Sequence, residues 1–443
     1  MNYDELQQII FKAGVVGAGG AGFPTHKKLS NRIDTIIVNA VECEPLLKVD
    51  YFLLKKYMND MAISLEKIVN ALNAEKGIIA VKTKNVKTLN AVEDIKQKTT
   101  KIYIHEVRDI YPAGDEVVLT YEVTGRIIPE AAIPLAVGVM VLNAETLINI
   151  KNAIEGKAVV NKYLTVAGAV NKPITAVVPV GTPFIRLLQL SGLSGLEGYE
   201  VINGGPLMGR LCDPTKEVVT KTTKGIVVLP SSHTLIQKKK VRVQTVVKRA
   251  SSACCQCRMC SDMCPRYLLG HSIEVHKTIR SVVNEITTDV SPYMKSQLCS
   301  GCGVCDYIAC TQDIAPRSIC SEVKGQMLRN NLRFTGGVAP ERVRGEREFR
   351  LVPSQRIIDR CDLGKYDKDV IFNDGVIDVN QVRLPLKQHI GKPAVPVVKA
   401  GDEVKTGQLI AALDMEEMGS NIHSSIDGII KQVSDQDIII IRK

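Results

Sequence analysis

The sequence predicts a multidomain chain of α/β and α+β character, and three observations lead there. Its 443 residues are enough for about three domains at roughly 150 residues each. The first third alternates helical periodicity with short Val/Ile runs, the pattern that builds a parallel sheet covered by helices. Nine of the 13 cysteines fall between Cys254 and Cys310, which sets one segment apart from the rest.

Taken in order, residues 1–155 read as an α/β domain. Leu6, Ile9, Ile10 and Ala13 share one helical face, and residues 34–38 and 77–82 are apolar runs of strand length. Residues 156–235 read as a small mixed β domain, with strands at 163–168 and 176–179, a short helix at 184–190 and a turn at Gly204-Gly205-Pro206. Residues 236–345 carry the cysteines on short helices. Residues 346–380 are expected to be a linker, since 336–359 are rich in Arg, Gly and Pro. Residues 381–443 form a last β module.

Composition narrows the class. The chain is 45% hydrophobic and 23% charged, normal for a globular protein. With no Trp and 4% aromatics its cores must be aliphatic. The longest apolar run, 131–142, is interrupted by Pro134 and falls short of the ~20 residues of a membrane helix. Met1-Asn2-Tyr3-Asp4-Glu5 is acidic where a signal peptide is basic, so a cytoplasmic protein is expected. The net charge of +10 fits a lysine-rich surface or attraction to acidic partners such as nucleotides, ferredoxins or flavodoxins. Nucleic acid is not expected, because the basic residues are scattered without an aromatic platform. The densest run, Lys238-Lys239-Lys240 with Arg242, reads as a solvated strand edge.

The cysteines carry the strongest signal. Cys254-x2-Cys257-x2-Cys260-x3-Cys264-Pro265 is a bacterial ferredoxin run, and Cys299-x2-Cys302-x2-Cys305-x4-Cys310 is a stretched second copy. Three thiolates, each separated by two residues, wrap one [4Fe–4S] cubane, while the fourth points away and serves the other. The expected sets are therefore Cys254, Cys257, Cys260 and Cys310 on one cluster, and Cys299, Cys302, Cys305 and Cys264 on the other. Zinc is the competing reading, but zinc takes ligands as two pairs and has no use for triplets. Cys255 and Cys320 are spare thiols, with Cys320 an alternative to Cys310. Cys212 and Cys361 read as packing residues.

Residues 17–22, Gly-Ala-Gly-Gly-Ala-Gly, follow the first helix. Glycines let backbone N–H groups converge on a phosphate, although a glycine loop is by itself often only a tight turn. The loop continues as Phe23-Pro24-Thr25-His26-Lys27-Lys28 and resembles the flavin loop of the NADH-oxidising subunit of respiratory complex I. Three further stretches resemble that family in the same order: Asn39-Ala40-Val41-Glu42-Cys43-Glu44-Pro45, Tyr111-Pro112-Ala113-Gly114-Asp115-Glu116 and Asn143-Ala144-Glu145-Thr146-Leu147. The resemblance implies an FMN and nicotinamide pocket lined by Gly17, Gly19, Gly20, Gly22, Lys28, Asn39, Glu44, Tyr111, Asp115, Glu116 and Asn143. Val41 departs from the family's Asp, and no aromatic stands out to stack on the NADH adenine.

The variants Glu42-Cys43-Glu44-Pro45 and Pro112-x-Gly-x-Glu116 resemble more closely the C subunit of the Rnf ferredoxin:NAD oxidoreductase. Closer still are the cobalamin reductases of propanediol-utilising bacterial microcompartments. That family joins a complex I-like FMN domain, a soluble-ligand-binding (SLBB) β-grasp domain and two [4Fe–4S] clusters. Gly204-Gly205-Pro206-Leu207-Met208-Gly209 and Val219-Thr220-Lys221-Thr222-Thr223 resemble its β-grasp exit.

The run Val398-x-x-Gly401-Asp402-x-Val404-x-x-Gly407 resembles a lipoyl-type barrel-sandwich half. Its hairpin tip, Leu413-Asp414-Met415-Glu416-Glu417-Met418, offers no lysine for an amide-linked group, so a docking or packing module is expected and not a swinging arm. The expected whole is a flavin and iron–sulfur oxidoreductase that takes electrons from NADH through FMN and two clusters to a corrinoid. Its expected partners are a corrinoid-dependent enzyme or adenosyltransferase, in the cytoplasm at large or inside a microcompartment. The alternatives are an Rnf-like or amino-acid-reductase feeder of a protein acceptor, and a non-catalytic relay.

Overall fold

The computed structural model describes residues 1–86, 95, 98–336 and 339–443. Strands β1 (Thr35–Ala40), β2 (Lys76–Lys82), β3 (Ile102–Val107) and, beyond the two-residue β4 (Ile110–Tyr111), β5 (Val139–Asn143) begin the chain. Four of them form a fully parallel sheet in the order β3-β2-β1-β5. In β1, Ile36 and Val38 join the core under helices Val49–Ala71 and Ala144–Ile154. Ile37 points to the other face, toward Leu119 on helix Glu116–Thr124. A strand buried on both faces must read as a continuous apolar run, as this one does. The expected α/β layer with a parallel sheet is borne out.

The second sheet is mixed. Strands β6 (Asn161–Gly168), β7 (Ile174–Pro179), β8 (Tyr199–Asn203), β9 (Arg210–Cys212) and β10 (Gly225–Pro230) cradle helix Phe184–Leu190. Its edge is completed from far along the chain. After β11 (Val352–Pro353), strand β12 (Ile371–Val376) pairs parallel with β7. The segment 346–380, expected as a linker, instead packs. β11 pairs with β4, and helix Ser354–Arg360 buries Ile357 and Ile358 in the core that also holds Tyr111 and Cys302. Arg347 is buried too, on the Glu122 carboxylate, so arginine here marks an ion-pair seam and not a tether. Residues 337 and 338 of the Arg/Gly-rich stretch lie outside the described residues.

Lys238, Lys239 and Lys240 also depart from expectation. They end helix Thr234–Lys240, whose first turn is capped by the His233 side chain accepting from Leu235 N–H. Lys239 is tied to the carbonyls of Leu207 and Gly209 at 3.0 and 2.6 Å, and Lys238 pairs with Asp313.

The cysteine segment folds on helices Val243–Ala253, Val275–Val283 and Pro316–Arg329 around its own core. The last unit stacks two small sheets. One runs through β13 (Gln381–Pro385), β15 (Glu403–Val404), β18 (Gly428–Val433) and β19 (Asp437–Ile441). The other runs through β14 (Val395–Pro396), β16 (Leu409–Ala412) and β17 (Ile422–His423). Alternate residues such as Ile438 and Ile440 fill the space between them. Among the described residues no helix is long and apolar enough to cross a membrane.

Candidate functional site

In the first sheet the chain runs from β1 to β2 on one side, while β5 lies on the other. The carboxyl ends of β1 and β5 therefore flank a topological switch point, where open α/β sheets form their ligand crevice. A cavity of about 550 Å³ opens there, in the size range of small-molecule sites. Of the residues the resemblance assigns to a flavin pocket, Gly17, Gly19, Gly20, Gly22, Lys28, Asn39, Glu44, Glu116 and Asn143 line it. Tyr111 and Asp115 do not.

The glycine loop is held at its base and bare at its crest. Gly17 N–H donates to Phe23 O at 2.9 Å, and Ala18 N–H to Thr146 Oγ1 at 2.9 Å. Lys162, fully buried on β6, donates to Ala18 O at 2.6 Å while pairing with buried Glu145. At Gly19 and Gly20 an added Cβ would meet no atom within 4 Å, so bare backbone faces open space. Gly20 also has φ +62°, which favours glycine. A loop shaped to bring backbone amides against an anion has this form, and the residues present fit a flavin phosphate or ring edge. Gly22 differs: a Cβ there would lie 2.6 Å from Thr222 Cγ2 and 3.2 Å from His389 Cα, so its bareness serves packing.

Several motif side chains are already engaged within the protein. Asn39 donates to Gly114 O at 2.9 Å and accepts from Val41 N–H. Asn143 caps helix Ala144–Ile154 by accepting from Glu145 N–H at 3.0 Å. Glu44 accepts from Leu207 and Met208 N–H at 2.8 and 2.9 Å, clamping the cavity to the second unit, the one built on the mixed sheet, at its β8–β9 turn. Burial nevertheless raises its pKa. Lys28 reaches Val141 O at 2.7 Å with Glu116 3.9 Å away, and burial lowers its pKa.

A charged group that no sequence motif singles out stands at the same cavity. Lys224, just ahead of β10, pairs with Asp50 at 2.6 Å and Glu42 at 3.1 Å, and all three line the cavity. Asp50 is 1% exposed and its Oδ1 has no partner. Burial, with the Glu42 charge beside it, pushes its pKa up to about 7. Glu42 lies in the stretch Glu42-Cys43-Glu44-Pro45, but no local pattern ties Lys224 to it across about 180 residues of chain. Cys43 lines the cavity as well, accepting from Gly114 N–H through Sγ at 2.7 Å, and burial raises its thiol pKa to about 11.

Tyr111 and Asp115 turn to the cysteine segment instead. Buried Tyr111 donates its hydroxyl to Cys302 O at 2.6 Å. Asp115 caps helix Glu116–Thr124 through Oδ1 and uses Oδ2 to hold Arg266, two residues beyond Cys264, at 2.9 Å. Their place is set by packing between units, which a motif aligned within one domain does not reveal.

The eight run cysteines fall into two neighbourhoods. Cys254, Cys257, Cys260 and Cys310 line one small cavity together with the spare thiol Cys255. Burial first, and then the charges of Cys310, Cys254 and Cys257, push the Cys260 thiol up to about 12. Cys302 is raised likewise, by burial and then by the Cys264 and Cys299 charges. Thiols crowded so that their charges oppose ionisation of the buried Cys260 and Cys302 are relieved by a cation, so the donor sets suit iron–sulfur clusters. Among the described residues no three of these groups converge on a single-ion site. Thiolates at the corners of a cubane stand farther apart than the ligands of one zinc ion. The longer x4 gap is taken up by a π-type turn at Cys305–Ala309, in which Cys310 N–H bonds Cys305 O at 3.0 Å. Left-handed Gly301 (φ +74°) and Gly303 (φ +81°) bend the chain on either side of Cys302. Cys320 is buried in this segment's helical core, and Cys361 in the core beside Tyr111.

Comparison with known proteins places these parts. Residues 10–152 match the Nuo51 FMN-binding domain, 253–315 a 4Fe-4S dicluster domain, and 376–442 the RnfC barrel sandwich hybrid domain. The chain is 39% identical to cobalamin reductase PduS of Citrobacter freundii, over 99% of this chain and 96% of that protein. It is 38% identical to cobalamin reductase PduS of Salmonella typhimurium, over 100% of this chain and 97% of that protein. It is 31% identical to the C subunit of the Na(+)-translocating ferredoxin:NAD(+) oxidoreductase complex of Acetobacterium woodii, over 60% of this chain and 59% of that protein.

Proposed function

The chain belongs to the family of PduS cobalamin reductases, FMN and iron–sulfur oxidoreductases, and from that premise we propose that it carries electrons from NADH to a corrinoid. The glycine-loop cavity would hold the FMN, and the two cysteine runs would hold the [4Fe–4S] clusters, that such a transfer requires. When bound, FMN converts hydride transfer from a nicotinamide into single-electron transfer to iron–sulfur centres. The protein's own part is to hold, insulate and connect. Gly19 and Gly20 present backbone to the cofactor, and Lys162 fixes the loop from beneath. The Asp50–Glu42–Lys224 group sets charge at the cavity, with Asp50 able to hold a proton near neutral pH.

One observation supports the electron path above all. Leu47 and Cys43, on the cavity wall, pack in the same apolar cluster as Tyr111, Cys302 and Val304. No solvent layer need separate the flavin from the second cysteine run. By the family resemblance, the protein works beside corrinoid-dependent partners inside a microcompartment.

Reconstituted, oxygen-free protein tests this directly. NADH should bleach both flavin and cluster absorbance, and cob(III)alamin should restore both. Bleaching without recovery would remove the corrinoid from the proposal, and absence of bleaching would remove NADH.

A further inference from the structure

A further wall of the flavin cavity comes from the far end of the chain. Ile390 lines it, and the Ile390 backbone N–H donates to Ala21 O in the glycine loop at 3.0 Å. One residue earlier, His389 presses so closely on Gly22 that a Cβ there would collide or force the neighbour aside. From the hairpin tip, Glu416 reaches the cavity-lining Lys27 at 3.7 Å.

These contacts are braced from the second unit. The buried Lys221 amine donates to Gly14 O and Asn421 O, both at 2.7 Å, and its backbone N–H donates to Gln388 Oε1 at 3.0 Å. Gly14 lies just ahead of the glycine loop, while Gln388 and Asn421 belong to the carboxyl-terminal module. One lysine thus ties the loop's base to that module. A tip without a modifiable lysine, packed on the flavin unit, is what a fixed structural part would show.

We infer that the carboxyl-terminal barrel-sandwich module is a latch of the flavin site, with Ile390 a positioning residue that holds the glycine loop ready for FMN. The inference rests on the reading that FMN occupies this cavity. A loop held in its binding shape before the ligand arrives need not be ordered at the moment of binding, so the latch raises affinity without touching the redox chemistry. Loosening it speeds flavin loss while both clusters stay in place.

The experiment measures the FMN dissociation constant by fluorescence quenching on flavin-stripped, cluster-loaded full-length protein. Wild type, Ile390→Pro, Ile390→Ala and Val395→Ala are compared, because alanine keeps the N–H that bonds Ala21 O and proline removes it. Both altered residues are part-exposed on the module, at 40% and 64%, and Val395 lies away from the cavity lining. Ile390→Pro should weaken FMN binding about fivefold or more relative to Ile390→Ala, roughly 1 kcal/mol, with iron content unchanged. Val395→Ala should bind as wild type does. Equal affinity in Ile390→Pro and Ile390→Ala would overturn the latch, and so would equal weakening in Ile390→Pro and Val395→Ala. Wild type that takes up no FMN would overturn the flavin-site reading, and the latch with it.

Discussion

The hydroxyl of Tyr111 donates to the backbone carbonyl of Cys302 at 2.6 Å, joining the end of β4 in the flavin unit to the middle of the second cysteine run. Both groups are buried, so neither has water as a substitute partner. Tyr111→Phe keeps the ring and removes only the donor. Leaving the Cys302 carbonyl unpaired should cost about 1–3 kcal/mol. Chemical denaturation should show that loss, with flavin affinity little changed because Tyr111 is not on the cavity wall. Unaltered stability would mean that the two units are joined elsewhere.

The two cysteine neighbourhoods predict a crossed ligand pattern. Anaerobic protein should carry about eight irons, two cubanes' worth. Cys257→Ala and Cys310→Ala should each lose the same cluster signal in electron paramagnetic resonance. Cys302→Ala and Cys264→Ala should each lose the other. If Cys264→Ala instead matched Cys257→Ala, each run would hold its own cluster and the crossing would be wrong.

Gly19 and Gly22 separate ligand space from packing space. Gly19→Val adds a side chain where nothing stands within 4 Å of the Cβ position, so flavin-free protein should melt within about 0.5 kcal/mol of wild type. FMN affinity should nevertheless fall at least tenfold. Gly22→Ala should destabilise the flavin-free protein itself by about 1–3 kcal/mol, since Thr222 and His389 must move. Undiminished FMN binding by Gly19→Val would place the flavin elsewhere.

Asp50 should give stability a pH dependence. Its folded pKa of about 7 lies above the ordinary 3.8, raised by burial and by Glu42. A raised carboxyl pKa means the folded state binds more protons than the unfolded state between those values, so stability falls as pH climbs from about 4 to 7. The slope is at most about 1.4 kcal/mol per pH unit for one proton. Asp50→Asn, which cannot ionise, should flatten that decline in denaturant titrations from pH 5 to 8. An unchanged slope would show that Asp50 does not titrate in this window.

Lys162 and Glu145 form a buried pair beneath the glycine loop, where burial lowers the lysine pKa and raises the glutamate pKa. Lys162→Met leaves the Glu145 carboxylate and the Ala18 carbonyl without their partner. A loss of about 3–5 kcal/mol is expected, larger than for any exposed pair in the chain. A loss below about 1 kcal/mol, the size of a surface pair, would mean that the pair is not what fixes the loop.

Much of this protein was written in short stretches of sequence. The thiol spacings around Cys254–Cys264 and Cys299–Cys310 follow from turns of a few residues, and the apolar runs of β1 and β2 follow from burial on both sheet faces. Local chemistry of that kind survives reading one stretch at a time. What the sequence alone could not place were contacts between distant segments. Lys224 meets Asp50, Ile390 meets Ala21, and Tyr111 leaves the expected flavin pocket for Cys302. Lys238–Lys240 became a helix end because His233 caps its start and the packed units accept its amines. Segment 346–380 lost its expected freedom because β4 and β7 offered open edges to β11 and β12. Backbone spacing is fixed by bonds a few residues long, whereas these meetings depend on how whole units dock, and only the folded chain carries that.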